Sequence, residues 1–90
     1  MRWRRRVPEV VVVTRAGCHL CDVMVRVVSR AAGRVPVTTR DLDEELAAGR
    51  LERSEHDRWT TLVPVLLVDG RELACHRTDE ATVRRALRRR

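Results

Sequence analysis

Phenylalanine, tyrosine and lysine are missing from this 90-residue chain, and its only aromatic residues are Trp3 and Trp59. Two indoles cannot form the row of stacking faces on which single-stranded nucleic acid is held. No C2H2 or basic-zipper signature is present either. Every one of the 19 basic residues is arginine, a uniform exchange of one cation for another to which we attach no functional weight. The basic excess of +6 gathers at the ends, in Arg2, Arg4, Arg5 and Arg6 and in Arg84, Arg85, Arg88, Arg89 and Arg90. Such ends hold polyanions weakly and release them as salt rises. Solvated termini are the simpler reading, and nucleic acid is not an expected partner.

Cysteine is scarce and odd in number: Cys18, Cys21 and Cys75. A secreted disulfide framework would use more, evenly paired. No run approaches membrane-spanning length. The basic start is interrupted by Pro8 and Glu9, and the apolar run after them is too short for a signal peptide. The expectation is a cytoplasmic protein with no membrane association. Glycine and proline are few and nowhere cluster into a linker, so residues 1–90 read as a single domain, with an N-terminal arm (1–8) and a basic tail (88–90). That length buries a core without staples or a structural metal.

The stretch Glu9 to Asp22, EVVVVTRAGCHLCD, organises the chain. Four successive valines suit a strand buried on both faces. The turn Thr14-Arg15-Ala16-Gly17 ends it. From there Leu20, Val23, Met24, Val27, Val28 and Ala31 recur at helical spacing, and Gly33 stands where a left-handed residue would close the helix. Val35 to Leu42 reads as a short edge strand, with Pro36 near its start. Strand, helix and strand in this order predict a parallel βαβ unit.

Between Asp43 and Thr61 the pattern admits one helix or two. Asp43 can cap Glu44 to Ala48, Gly49 would end that piece, and Ser54 with Asp57 resembles a weakened capping box. Leu46, Leu51, Trp59 and Leu62 are the expected buried contacts there. Val65 to Val68 and Arg71 to Cys75 flank Asp69-Gly70, which predicts a hairpin with a type I′ turn. Thr78 is a good N-cap for a last helix with Asp79 and Glu80 in its first turn and an apolar stripe of Val83, Ala86 and Leu87. The sum is an α/β fold, β-α-β-α-β-β-α, with a four-stranded mixed sheet flanked by helices.

Cys18 and Cys21 carry the chemistry. A thiolate attacks disulfides and a thiol does not. Unpaired amides and the dipole at a helix N-terminus favour the anion. Cys18 falls at that boundary and is the expected nucleophile. Cys21, one turn on, is placed to resolve a mixed disulfide on Cys18, and a helical CxxC closes within ordinary Cα separations. Arg15 either adds positive potential near the thiolate or is a solvated loop residue. His19, when protonated, would raise the thiolate fraction, or it is simply an exposed first-turn side chain. A zinc site needs two further ligands; Cys75 and His76 are adjacent and His56 lies in the loosely patterned stretch between Asp43 and Thr61, so no metal is expected. Val63-Pro64 stands directly before a buried strand. A cis bond there would leave the Val63 backbone N–H and C=O open to an extended thiol peptide.

These residues resemble the glutaredoxin branch of the thioredoxin superfamily, in particular its short bacterial members. The resemblance spans Glu9 to about Leu87 and rests on VVVVTRAGCHLC, on Asp41-Leu42-Asp43, on LVPVLLVDG and on the last helix. It implies a thioredoxin-like fold and thiol–disulfide oxidoreductase activity, with Cys18 as nucleophile and Cys21 as resolving residue. Pro64 would be a cis-proline lining the substrate groove beside Val63, and Arg15 would contact a glutathione carboxylate. His19 and Leu20 replace the usual Pro and Tyr. The usual Gly-Gly and Asp run is replaced by Ala74 to Asp79, where Thr78 and Asp79 alone could bind substrate. The resemblance implies no tightly bound cofactor and a low-molecular-weight thiol, glutathione or mycothiol, as co-substrate. Expected partners are disulfide substrates and a thiol or dithiol reductant, and a monomer is expected. The alternative is a thioredoxin-fold binding module, or a metal or iron–sulfur carrier, that uses the same cysteines without turnover.

Overall fold

A computed structural model describes residues 7–88. The expected arm and basic tail therefore lie largely outside the described residues. The four arginines within 1–6 and the two at 89–90 carry the whole excess of +6, so residues 7–88 are formally neutral.

The elements run β1 (Val10–Thr14), α1 (His19–Ala32), β2 (Val37–Asp41), α2 (Leu42–Ala47), α3 (Arg53–Trp59), β3 (Val65–Val68), β4 (Arg71–Cys75) and α4 (Glu80–Arg88). The sheet order is β2-β1-β3-β4. β1 pairs parallel with β2 and antiparallel with β3, and β4 completes an antiparallel hairpin. The fold is thioredoxin-like, and the uncertain region between residues 43 and 61 resolves into two short helices.

β1 is buried along Val10 to Val13 because both faces are covered. Val10 and Val12 pack with Met24 and Val28 of α1, Leu66 of β3 and Val83 of α4. Val11 and Val13 point the other way, into Leu42, Val65 and Leu67, with Leu51, Trp59 and Leu62 around them. This period-2 division between two cores is what an uninterrupted run of apolar β-branched residues permits. Each such side chain taken fully from water contributes roughly 1.5–3 kcal/mol. Trp59 is fixed on the second face by its indole N–H, which donates to Glu72 Oε2 of β4 at 3.1 Å. Arg58 pairs with the same carboxylate.

Local chemistry sets the boundaries. Asp69 and Gly70 both take positive φ, 51° and 80°, as a type I′ turn requires. α2 closes in a Schellman motif: Arg50 N–H donates to Glu45 C=O and Gly49 N–H to Leu46 C=O, with Gly49 at φ 77°.

Four expectations are corrected. Asp41, not Asp43, caps α2, its Oδ1 accepting the Asp43 and Glu44 N–H groups at 2.9 and 3.0 Å. Ser54 is inside α3, whose N-cap is Glu52, with no side-chain capping bond. The α4 cap is Asp79 rather than Thr78, since Asp79 Oδ1 accepts the Thr82 N–H at 2.8 Å. The buried stripe of α1 is also rotated. It runs through Cys21, Met24, Val28 and Ala32, and Leu20 faces out.

Candidate active site

The register places Val13, Val65 and Cys75 side by side across three strands. The loop leaving β1, the Pro64 entry to β3 and the exit from β4 therefore share one end of the sheet. Gly17, at φ 74°, turns the chain from β1 toward α1 in a conformation that L side chains resist.

Cys18 follows as the N-cap of α1, with extended dihedrals of −97° and 108°. Its Sγ accepts the Cys21 N–H at 3.1 Å. The sulfur thus occupies the place of the usual capping oxygen, where orphan amides and the helix dipole stabilise negative charge. Cys21 lies one turn on at disulfide-bonding distance, with a Cα–Cα separation of 5.2 Å. The two differ in access: Cys18 is half-buried, whereas Cys21 is 2% exposed. Of the two sulfurs, Cys18 is therefore the one open to solvent. His19 and Leu20, between them, are exposed.

The Val63–Pro64 peptide is cis, and Pro64 is buried. The Val63 N–H, which the sequence reading leaves open beside a cis bond, is closed. It donates to the Trp59 carbonyl at 3.0 Å, because the chain leaves α3 by a tight turn in which Leu62 bonds the same carbonyl. Of the two Val63 backbone groups, the N–H is therefore already committed within the fold. The Pro64 carbonyl accepts the His76 N–H at 2.8 Å, which ties the end of β4 to this loop.

His76 takes a left-handed φ of 65°, and the Arg77 N–H turns back to the Cys75 carbonyl at 2.7 Å, forming a γ-turn. Its Nε2 lies 2.8 Å from the Thr61 carbonyl oxygen, which can only accept, so that nitrogen carries the proton. A histidine thus adopts backbone geometry that glycine enters freely, within the segment Ala74 to Asp79. Asp79 is occupied as the α4 cap. The Thr82 amide holds its carboxyl below the ordinary carboxylate range. Thr78, beside it, is half-buried.

Arg15 is engaged from the side. Its Nε and Nη2 donate to Asp43 Oδ2 and Oδ1 at 3.1 and 3.3 Å. The same Oδ1 meets His56 Nε2 of α3 at 2.8 Å. Sequence reasoning passed over both partners. The sequence reading makes Asp43 the cap and leaves His56 in the uncertain stretch between residues 43 and 61. The spacing Asp41-x-x-Glu44 was the available signal, since an acid followed three residues later by glutamate marks the cap itself. That assignment frees Asp43.

Cys75 is a free, exposed thiol at the end of β4. Among the described residues no group of three or more His, Cys, Asp or Glu side chains converges on a metal position. A cavity of about 150 Å³ opens on the second face between Leu42, Leu51 and Trp59, and neither CxxC cysteine lines it. No helix among the described residues is long and apolar enough to cross a membrane.

Residues 9–88 match the family model of the glutaredoxin-like domain (DUF836). The chain belongs to the glutaredoxin-like family. No curated protein matches it in sequence. Membership of this family and a cysteine pair at disulfide distance fit a thiol redox role.

Proposed function

We propose that this glutaredoxin-like protein is a thiol–disulfide oxidoreductase that reduces small-molecule or protein disulfides through Cys18 and Cys21. The observation that carries the reading is the Cys18 sulfur at the N-cap of α1, accepting the Cys21 amide while Cys21 itself is buried. The Cys18 thiolate attacks one sulfur of the substrate disulfide. A bond forms between Cys18 and that sulfur, and the other half leaves as a thiolate that takes up a proton. Cys21, deprotonated, then attacks Cys18 Sγ and expels the second half, leaving the Cys18–Cys21 disulfide. Two electrons have passed to the substrate. A low-molecular-weight thiol such as glutathione or mycothiol, or a dithiol protein, returns them in the cytoplasm. Val63 and Pro64 border the groove, and exposed Leu20 offers an apolar contact beside the nucleophile.

The test is disulfide reduction coupled to a dithiol reductant. Cys18→Ser should abolish turnover. Cys21→Ser should stop at a mixed disulfide on Cys18, seen by mass spectrometry of the intact protein. Full reductase activity in Cys18→Ser would end this reading. Stoichiometric metal or an iron–sulfur chromophore in anaerobically purified protein, lost on Cys18→Ser, would favour a carrier instead.

A further inference from the structure

We propose that His56 and Asp43 are positioning residues for Arg15, holding its guanidinium so that the free edge receives a carboxylate of the thiol substrate. The proposal rests on the oxidoreductase reading and on the carboxylate contact that the resemblance implies for Arg15; what it adds is the pair of residues that aims that contact.

The chain of contacts starts inside the protein. His56 is 9% exposed and sits on α3, where Thr60 closes on its carbonyl through both Oγ1 at 2.8 Å and N–H at 2.9 Å. Its Nδ1 is buried with no hydrogen-bond partner, and the nearest carboxylate oxygen, on Asp57, is 3.6 Å away. Nε2 is therefore the working nitrogen. Asp43 is a carboxylate at neutral pH, held below its ordinary range first by His56 and then by Arg15. An ionised carboxylate only accepts, so Nε2 donates to it. Asp43 can accept from α3 because Asp41 has taken over the capping of α2.

Asp43 in turn grips Arg15 along the Nε–Nη2 side. A guanidinium is a rigid planar fork, so fixing one edge fixes the other. Nη1 and the second proton of Nη2 have no partner among the described residues and point along the remaining edge. That edge has the geometry for a second carboxylate, on a loop residue three positions before Cys18. A plain clamp between α2 and α3 would need no arginine at its outer end. The half-exposed guanidinium, 36% accessible, is what gives the chain an outlet to solvent.

The test compares two disulfides, oxidised glutathione, which is anionic, and bis(2-hydroxyethyl) disulfide, which is uncharged. His56→Leu leaves every charge on Arg15 and Asp43 in place but removes the anchor. It should raise KM for oxidised glutathione by roughly two- to fivefold, the range of a partly exposed ion pair. The kcat and the KM for the uncharged disulfide should stay as in wild type. His56→Gln, whose amide can donate from a similar position, should restore the lower KM. In an Arg15→Met background His56→Leu should add nothing.

A second readout is independent of turnover. The Arg15 Nε–H resonance should be protected from exchange in wild type and His56→Gln, and lost in His56→Leu and in the exposed-site variant Asp43→Ser. An equal effect of His56→Leu on both disulfides, a full effect without Arg15, or an Nε–H signal unchanged in all variants would each overturn the proposal. Wild type that reduces neither disulfide would instead refute the oxidoreductase reading, while the resonance still reports on the positioning.

Discussion

Asp22 should oppose a thiolate at Cys18, and the size of that effect can be worked out. It stands four residues after Cys18, in the first turn of α1. Side chains so spaced on a helix have Cβ atoms roughly 5–6 Å apart. At about 6 Å two unit charges repel by roughly 0.7 kcal/mol in water-like surroundings, and by about twice that at half the dielectric constant. Since ~1.4 kcal/mol corresponds to one pKa unit, Asp22→Asn should lower the Cys18 thiol pKa by about half a unit to one unit. The assay is ultraviolet thiolate absorbance against pH in a Cys21→Ser, Cys75→Ser background, where Cys18 alone titrates. Salt near 1 M shortens the screening length to about 3 Å and should remove most of the difference. The same substitution strips an anion from the favourable end of a helix and should destabilise the fold by about 0.3–1 kcal/mol. Acidity and stability are thus expected to move in opposite directions. A Cys18 pKa that stays put or rises at low salt would refute the electrostatic reasoning.

Other outcomes follow from the packing and the caps. Leu42 is fully buried, so Leu42→Ala should cost about 2–5 kcal/mol in urea unfolding; a loss under about 1 kcal/mol would mean the second core is not packed as described. At His76, with φ 65°, both His76→Gly and His76→Ala lose the ring contact to Thr61. Only glycine relieves the left-handed backbone, so it should melt higher than alanine by about 1 kcal/mol of stability, and equal melting would refute the assignment. Asp79 has its pKa depressed by the capped amide. Its contribution is therefore complete above the unfolded value and fades as pH falls through the lower folded one. Asp79→Asn keeps a cap but no titrating group, so its melting temperature should fall less steeply than wild type below about pH 4. Parallel acid curves would count against the cap.

What could be read from the sequence was what depends on near neighbours. The valine run, the Asp69-Gly70 turn, Gly33 and the CxxC at a strand-to-helix junction are each fixed by local sterics or periodicity, and each stands where it was placed. Leu20 misled because an apolar residue at the right spacing need not be buried; the α1 stripe is centred on Cys21, Met24 and Val28, which turns Leu20 outward beside Cys18. Leu42 looked like the end of a strand but begins α2 as part of the core. The Val63 N–H was misjudged because its partner, the Trp59 carbonyl, depends on where α3 stops. His56 had no signal at all. A histidine among charged residues reads as surface, and only the fold of α3 over Asp43 buries it.

Alkylation of the reduced protein, followed cysteine by cysteine by mass spectrometry across pH, tests the central claim most directly, because the chain carries its own control. Cys75 is exposed on an edge strand, while Cys18 is half-buried at the helix start. If the amides of α1 hold Cys18 as an anion, it should react first and keep reacting well below the ~8.5 of a free thiol, with Cys75 slow there and Cys21 protected. If access alone governs, Cys75 would be modified first and Cys18 would follow the free-thiol curve, contradicting the claim that this sulfur is a nucleophile.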